Sequence, residues 1–283
     1  MIELTILCDG APNLGFGHIR RSLSVWETAI NQGINANIVG LSEHARSCLP
    51  KTNGEVADKI ILDTPLDCSA QLYHYRSLGK RIASLDHQGN CCPNLVINVF
   101  NHCPPVFPDI TKVGLEYCII REEFRKQKNA FIPDHKRATI MIGGGDILDM
   151  SEEAAKCLND KGMWGTIIKG PFSKNSSSKI GSFDIINNPN NIAEIIQKSS
   201  HMVTNGGGSL FEALYLNKEI WVIPQTTAEK RIAEHISEKY ICGINLHDLQ
   251  VSEMDLVSSN IEPGEELVDG RGCERILELA MNL

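Results

Sequence analysis

With 283 residues, 42% hydrophobic and 22% charged, the chain has the composition of an ordinary soluble globular protein, long enough for two domains of about 100–150 residues each. Its net charge of -8, from 35 acidic against 27 basic residues, comes with no extended basic stripe, which excludes a nucleic-acid polymer as the expected partner. No apolar run approaches the roughly 18 residues needed to span a bilayer, and Glu3 and Asp9 interrupt the order of a signal peptide, so a cytoplasmic protein with no membrane insertion is expected.

Strand and helix patterns alternate from the start. Ile2–Cys8 reads as a strand. Ile19, Leu23, Trp26 and Ile30 recur at helical spacing and predict a helix over Ile19–Gln32 that ends at Gly33. Strands follow at Ala36–Leu41, Lys59–Leu62 (ending at Asp63), Arg81–Leu85 (ending at Asp86) and Leu95–Val99, with helices at Ser42–Leu49 and Ala70–Gly79. Such repetition predicts a parallel sheet with helices on both faces.

Pro104, Pro105 and Pro108 break the pattern, and the polar stretch Gln127–Lys136 reads as a linker. A second alternation begins at Thr139–Ile142. Helices are predicted at Ser151–Leu158, Ile192–Ser199, Ser209–Leu216 and Ala228–Lys239, and strands at Gly165–Ile168, Phe183–Ile186, Met202–Thr204 and Glu219–Ile223. The expected organisation is α/β: two Rossmann-like, doubly wound domains facing a cleft, over 1–126 and 137–271, with a closing helix at 272–283.

Ligands of open α/β sheets sit outside the carboxyl ends of the strands. Asp9, His18, Asp63, Asp86, Asn98, Gly143 to Gly145 and Gly206 to Gly208 all fall there. Leu14-Gly15-Phe16-Gly17-His18-Ile19-Arg20-Arg21 joins the first strand to the first helix, where backbone N–H groups and the helix dipole can meet a phosphate and an imidazole would face it. Glycines in such a turn are also ordinary turn residues. Thr204-Asn205-Gly206-Gly207-Gly208-Ser209 repeats the strand–glycine–helix logic. Glu212 is either the partner of Ser209 in a capping box or a carboxylate for a ribose diol. Asp146 reads as a helix cap or a ligand residue, and Arg121 as a phosphate partner or a salt bridge. Ten scattered cysteines, with no C-x-x-C pair, read as free thiols, and the cluster of Cys91, Cys92, His87 and His102 matches no zinc spacing.

Gly15-Phe16-Gly17-His18-Ile19-Arg20-Arg21 resembles the opening motif of the PseG/SpsG family, MurG-like proteins of the GT-B architecture. The likeness continues through Ser84-Leu85-Asp86-His87, Ile97-Asn98, the segment Glu116 to Phe124 (Tyr-x-x-x-Arg-x-Glu-Phe), Ile142-Gly143-Gly144-Gly145-Asp146, Gly206 to Glu212 and Asp269-Gly270-Arg271-Gly272. The resemblance implies a hydrolase of a UDP-linked acetamido-deoxy sugar, as in pseudaminic acid biosynthesis. His18 would be its catalytic base. UDP would be held mainly by Gly207, Gly208, Ser209 and Glu212, with Gly15, Gly17, Arg21, Asn98, Arg121, Gly144, Gly145 and Asp146 as further substrate or nucleotide contacts. It implies neither a metal nor a cofactor. The chain departs from the family at Asp63-Thr64-Pro65, at His87, and at Ala228-Glu229, where a glutamate near a diphosphate would repel it. The alternative is a GT-B glycosyltransferase of surface or spore-coat polysaccharide synthesis. A second alternative is a nucleotide-sugar binding protein without catalysis.

Overall fold

The computed structural model describes residues 1–10, 17–52, 54–87, 89–100, 105–142, 146, 149–170, 178–240 and 268–283. They fall into two units: Met1–Arg121 with Val268–Leu283, and Glu122–Leu267.

The first unit carries β1 (Leu4–Cys8), α1 (Gly17–Asn31), β2 (Ala36–Gly40), α2 (Glu43–Ser47), β3 (Lys59–Asp63), α3 (Ser69–Ser77), β4 (Arg81–Leu85), β5 (Leu95–Asn98) and β6 (Thr111–Val113). All six strands run parallel in the order β2-β1-β3-β4-β5-β6. The period-2 alternation of a strand sorts their side chains onto two faces. Leu4, Ile6 and Ile61 pack with Val25 and Ala29 of α1, while Leu7, Ile60 and Leu62 pack with Leu72 of α3. Every residue of β1 is buried, as in a strand covered on both sides. Its one polar member, Thr5, accepts a hydrogen bond from the Ala57 N–H (2.8 Å).

The buried stripe of α1 matches the expected one at Ile19 and departs from it further along the helix. Ile30 is 45% exposed, and the face on the sheet is made by Ser22, Val25 and Ala29, with Thr28 beside it. Small side chains let the helix approach closely, and Leu23 and Trp26 fill its flanks. Hydrophobic periodicity weights large residues and so places the stripe one position away. The buried hydroxyls cost little, because Ser24 and Thr28 donate to the carbonyls four residues back.

The second unit carries α4 (Glu122–Gln127), β7 (Asp134–Met141), α5 (Met150–Asp160), β8 (Trp164–Lys169), β9 (Lys179–Ile180), β10 (Phe183–Asn187), α6 (Ile192–Gln197), β11 (Ser199–Thr204), α7 (Gly208–Tyr215), β12 (Glu219–Val222) and α8 (Thr227–Tyr240). Its sheet order is β12-β11-β7-β8-β10-β9, parallel except for β9 at the edge. Part of the stretch read as a linker is strand: β7 starts at Asp134, and its first three residues are exposed and polar, so they lack the apolar signal of a buried strand.

The last helix, α9 (Gly272–Met281), belongs to the first unit, where Cys273, Ile276, Leu277 and Ala280 join the core of β1 and α1. Burying an Ile or Leu there is worth about 1.5–3 kcal/mol. Its entry explains the tail motif physically. A Cβ at Gly272 would lie 2.0 Å from the Cys118 carbonyl oxygen, so only glycine permits this approach. Arg275 clasps Asp269 with both terminal nitrogens (2.8 and 2.5 Å) and donates to the Glu116 carbonyl. The Glu116–Phe124 segment spans the crossing between units: Tyr117 and Ile119 pack on the first core, and Phe124 is fully buried.

Candidate functional site

In the first unit, the C-terminal ends of the strands gather charge. β1 and β3 are adjacent, with Cys8 opposite Asp63. Asp63 shares a sheet face with Ile61, two residues back, and this is the face that α1 covers. His18, in the first turn of α1, is three residues before Arg21 and four before Ser22, so the three side chains share one side of the helix. All three converge on Asp63. His18 Nδ1 lies 2.7 Å from Oδ1, Arg21 Nε donates to Oδ2 (2.7 Å) and Nη2 to Oδ1 (2.5 Å), and the Ser22 hydroxyl donates to Oδ2 (2.9 Å). Arg21 Nη1 also donates to Asp86, at the end of β4.

Asp63 is completely buried, whereas the His18 side chain keeps 23% of its surface. Burial alone would push the Asp63 carboxyl up. The Arg21 charge and the hydrogen bonds from His18 and Arg21 outweigh that and hold it well below the usual carboxylate range. Arg21 is correspondingly held protonated: burial opposes its charge, and the carboxylates of Asp63 and Asp86 more than restore it. The buried Cys8 thiol is pushed up to about 12, by burial first and then by the Asp63 charge, so it is a packing residue and not a nucleophile.

The ends of β1 and β5 carry polar residues as well. Asp9 accepts from the Gly10 N–H (2.8 Å) and the Ser42 hydroxyl (2.5 Å), and Ser42 in turn accepts from Ala45 N–H as the cap of α2. Asn98 closes β5, two strands from Asp63, and its carbonyl accepts from Gly114. Arg121 is half-buried and immediately precedes α4. Gly17 is the first residue of α1, where a Cβ would meet nothing within 4 Å. Gly15, Gly143, Gly144 and Gly145 lie outside the described residues.

In the second unit the two glycine turns differ. Asp146 accepts from the N–H groups of Met150 and Ser151 (both 2.9 Å), so the start of α5 already faces a carboxylate of its own chain. The start of α7 is different: its N-cap is Gly207, which has no side chain to bond with. This corrects the expected capping box. Ser209 is inside the helix and its hydroxyl meets that of Thr204 (2.5 Å), while Glu212 is two residues beyond the position such a box requires and is 5% exposed. Gly206 has φ +91, a backbone that L side chains rarely adopt, and a Cβ at Gly208 would meet nothing within 4 Å.

The capping box of this edge belongs to α8. Thr226 accepts from the Glu229 N–H (3.2 Å), and Glu229 accepts from the N–H groups of Thr226 (3.1 Å) and Gln225 (2.7 Å). The other Glu229 oxygen accepts from Asn205 Nδ2 (2.5 Å). Burial raises its carboxyl and these hydrogen bonds oppose the rise. Glu229, expected to repel a diphosphate, is thus engaged by the protein itself.

The residue that sequence reading passed over is Asp63, noted there as a strand end and as a departure in its neighbours, but not as a site residue. Its partner lies 45 positions away, and only the parallel pairing of β1 and β3 joins them. Among the described residues no group of three or more His, Cys, Asp or Glu is placed to hold a metal ion. Among the described residues no cysteine is in a disulfide, and no described helix is long and apolar enough to cross a membrane.

The two parallel-sheet, Rossmann-like units define a GT-B fold. The chain is similar to MurG of Acinetobacter baumannii (TM-score 0.61, 10% identity, covering 99% of this chain and 100% of that one). It is also similar to UDP-GlcNAc 2-epimerase from Neisseria meningitidis bound to UDP-GlcNAc (0.58, 12%, 99% and 100%) and to a UGT transferase from Siraitia grosvenorii in complex with UDP (0.57, 11%, 99% and 94%). At these identities the likeness is one of fold. No protein-family model matches the sequence, and no curated protein matches it either.

Proposed function

We propose that this chain is a GT-B enzyme acting on a nucleoside-diphosphate sugar, with His18 as general base, and that its reaction is transfer of the sugar to an acceptor hydroxyl. The observation that carries the reading is the solvent-reached imidazole of His18 tied to the fully buried, ionised carboxylate of Asp63. An imidazole suits the role because its unperturbed pKa, about 6.5, lies near working pH. In the step proposed, the acceptor oxygen forms its bond to the anomeric carbon while the bond from that carbon to the diphosphate oxygen breaks. The electron pair leaves with the diphosphate, and the imidazole takes the hydroxyl proton and later yields it to solvent.

The second unit supports the nucleotide half of this reading. The N-terminus of α7, where Gly207 and Gly208 are bare of side chains, favours the diphosphate over the start of α5, which Asp146 already occupies. Ser209 and Glu212 follow on the same helix, Glu212 for the ribose diol. Fold neighbours that carry UDP or a UDP-sugar are in keeping with this class of substrate.

A second reading is hydrolysis, with water in place of the acceptor, favoured by the likeness of Gly15 to Arg21 and of Glu116 to Phe124 to the PseG/SpsG motifs. Arg21, Asn98 and Arg121 would then face the sugar phosphate and the released sugar would be of the acetamido-deoxy type. One assay separates the readings: nucleoside-diphosphate release from UDP-, dTDP- and CDP-sugars, with and without sugar acceptors, for the wild type and His18→Ala. Release that requires an acceptor and is lost in the variant supports transfer; release without one supports hydrolysis. Saturable nucleotide-sugar binding with no turnover overturns the enzymatic reading.

A further inference from the structure

We infer that Asp63 is a positioning residue that holds the proton of His18 on Nδ1 and so leaves Nε2 as the nitrogen that accepts the substrate proton. The catalytic half of this inference deepens the reading above and rests on it; the orienting half does not.

The tautomer follows from the atoms around Nδ1. At 2.7 Å from Asp63 Oδ1, one of the two atoms must donate. The carboxylate cannot, because Arg21 binds both of its oxygens, Ser22 adds a third donor, and the group is fully buried with the Arg21 charge against it. A bare Nδ1 would set lone pair against lone pair. The competing arrangement, in which Arg21 Nη2 turns its second N–H to Nδ1 at 3.1 Å, is the longer contact and leaves the Nδ1 lone pair against Oδ1 at 2.7 Å. Nδ1 therefore carries the proton and donates it, as in other imidazole–carboxylate pairs where the carboxylate fixes the tautomer without taking the proton itself.

Charge balance points the same way. Asp63 and Asp86 face one guanidinium, so with a neutral imidazole the cluster holds one net negative charge, and proton uptake at Nε2 neutralises it. Arg21 keeps Asp63 ionised, and Asp86 balances Arg21. Asp63 is thus the orienting anion of His18 and not a second proton carrier. Asp63 acts only through His18, from a fully buried position.

Long-range proton–nitrogen correlation NMR on the isotope-labelled full chain, above the pH at which the ring protonates, reads the tautomer directly. The His18 signals are identified among the nine histidines by their loss in His18→Gln. The expected result is a protonated Nδ1 and a pyridine-type Nε2 in the wild type. In Asp63→Asn, whose amide can donate to Nδ1, the opposite tautomer appears and kcat falls on the order of 10²–10⁴-fold with KM little changed. Arg21→Lys, which keeps the charge but loses the bidentate clasp, shifts the tautomer less. A pyridine-type Nδ1 in the wild type overturns the inference, and that spectrum decides it even if Asp63→Asn does not fold. An unchanged tautomer and turnover in a folded Asp63→Asn overturns it as well. If instead His18→Ala retains full turnover while the wild-type tautomer is as stated, the catalytic half falls with the proposed function and the orienting role stands.

Discussion

Arg21 and Asp63 meet through two parallel hydrogen bonds, Nε to Oδ2 at 2.7 Å and Nη2 to Oδ1 at 2.5 Å, joining α1 to the end of β3 with the carboxylate fully buried. A pair of this kind costs desolvation to form, and breaking it from one side leaves a buried charge without its counterion. Arg21→Met is therefore expected to destabilise the fold by about 3–5 kcal/mol at neutral pH, read as a lower urea midpoint. The loss shrinks on acidification. The folded-state carboxyl of Asp63 is depressed, so its contribution is complete above the unfolded value of 3.8 and is lost as pH falls below that toward the folded value. A difference between variant and wild type that stays constant from pH 7 to pH 3 would count against the pairing.

Glu229 and Thr226 close the first turn of α8 on each other, and Glu229 also holds Asn205 beside the glycine turn. Thr226→Ala removes one side of this box and is expected to cost about 0.5–2 kcal/mol, the ordinary range for a lost cap. Glu229→Ala removes the contacts of both carboxylate oxygens and should cost more. Thermal unfolding of the two variants checks the order; equal midpoints would show that the Asn205 contact contributes nothing.

Gly208 heads α7, and a Cβ there meets nothing within 4 Å. Gly208→Ala should therefore fold normally, with stability unchanged or raised by up to about 1 kcal/mol from the better helix propensity of alanine. If the diphosphate rests on these amides, the added methyl obstructs it and weakens UDP binding on the order of tenfold or more, about 1.4 kcal/mol. Calorimetric titration of UDP into the wild type and the variant measures this. Undiminished affinity would remove the α7 N-terminus from the site.

Lys218 is 2% exposed, and its ammonium donates to the Gln197 carbonyl at 2.8 Å. Burial lowers its pKa from 10.5 to about 8. Below pH 8 both folded and unfolded chains are protonated and the native state carries the full desolvation cost. Between 8 and 10.5 the folded chain releases the proton first, so stability rises with pH. Lys218→Met has no such proton, and its stability relative to wild type should fall by on the order of 2–3 kcal/mol between pH 7 and pH 10. Parallel pH profiles for the two proteins would contradict this account.

The fold and the site were legible to different extents. The buried strands of the parallel sheets were readable because apolar runs bounded by turn residues are a local signal. The short strands β6 and β9, of three and two residues, carry too little periodicity to register. The Thr226–Glu229 box escaped because it lies at a helix start that the apolar pattern places one residue late. Gly17, His18 and Arg21 stood out by their position in a strand–turn–helix unit, whereas what Arg21 and His18 touch was not legible.

What the order of residues determined alone is the two α/β repeats, the parallel sheets and the imidazole at the head of α1, since hydrophobic period and turn chemistry act within a few neighbours along the chain. Folding decided the rest. Asp63 becomes the partner of His18 only because β1 and β3 pair in the register that sets Cys8 against Asp63. The last helix joins the first core only because its apolar face finds β1 and α1 there. Contacts between residues far apart in sequence are fixed by strand pairing and burial of whole faces, and no local stretch of sequence encodes them.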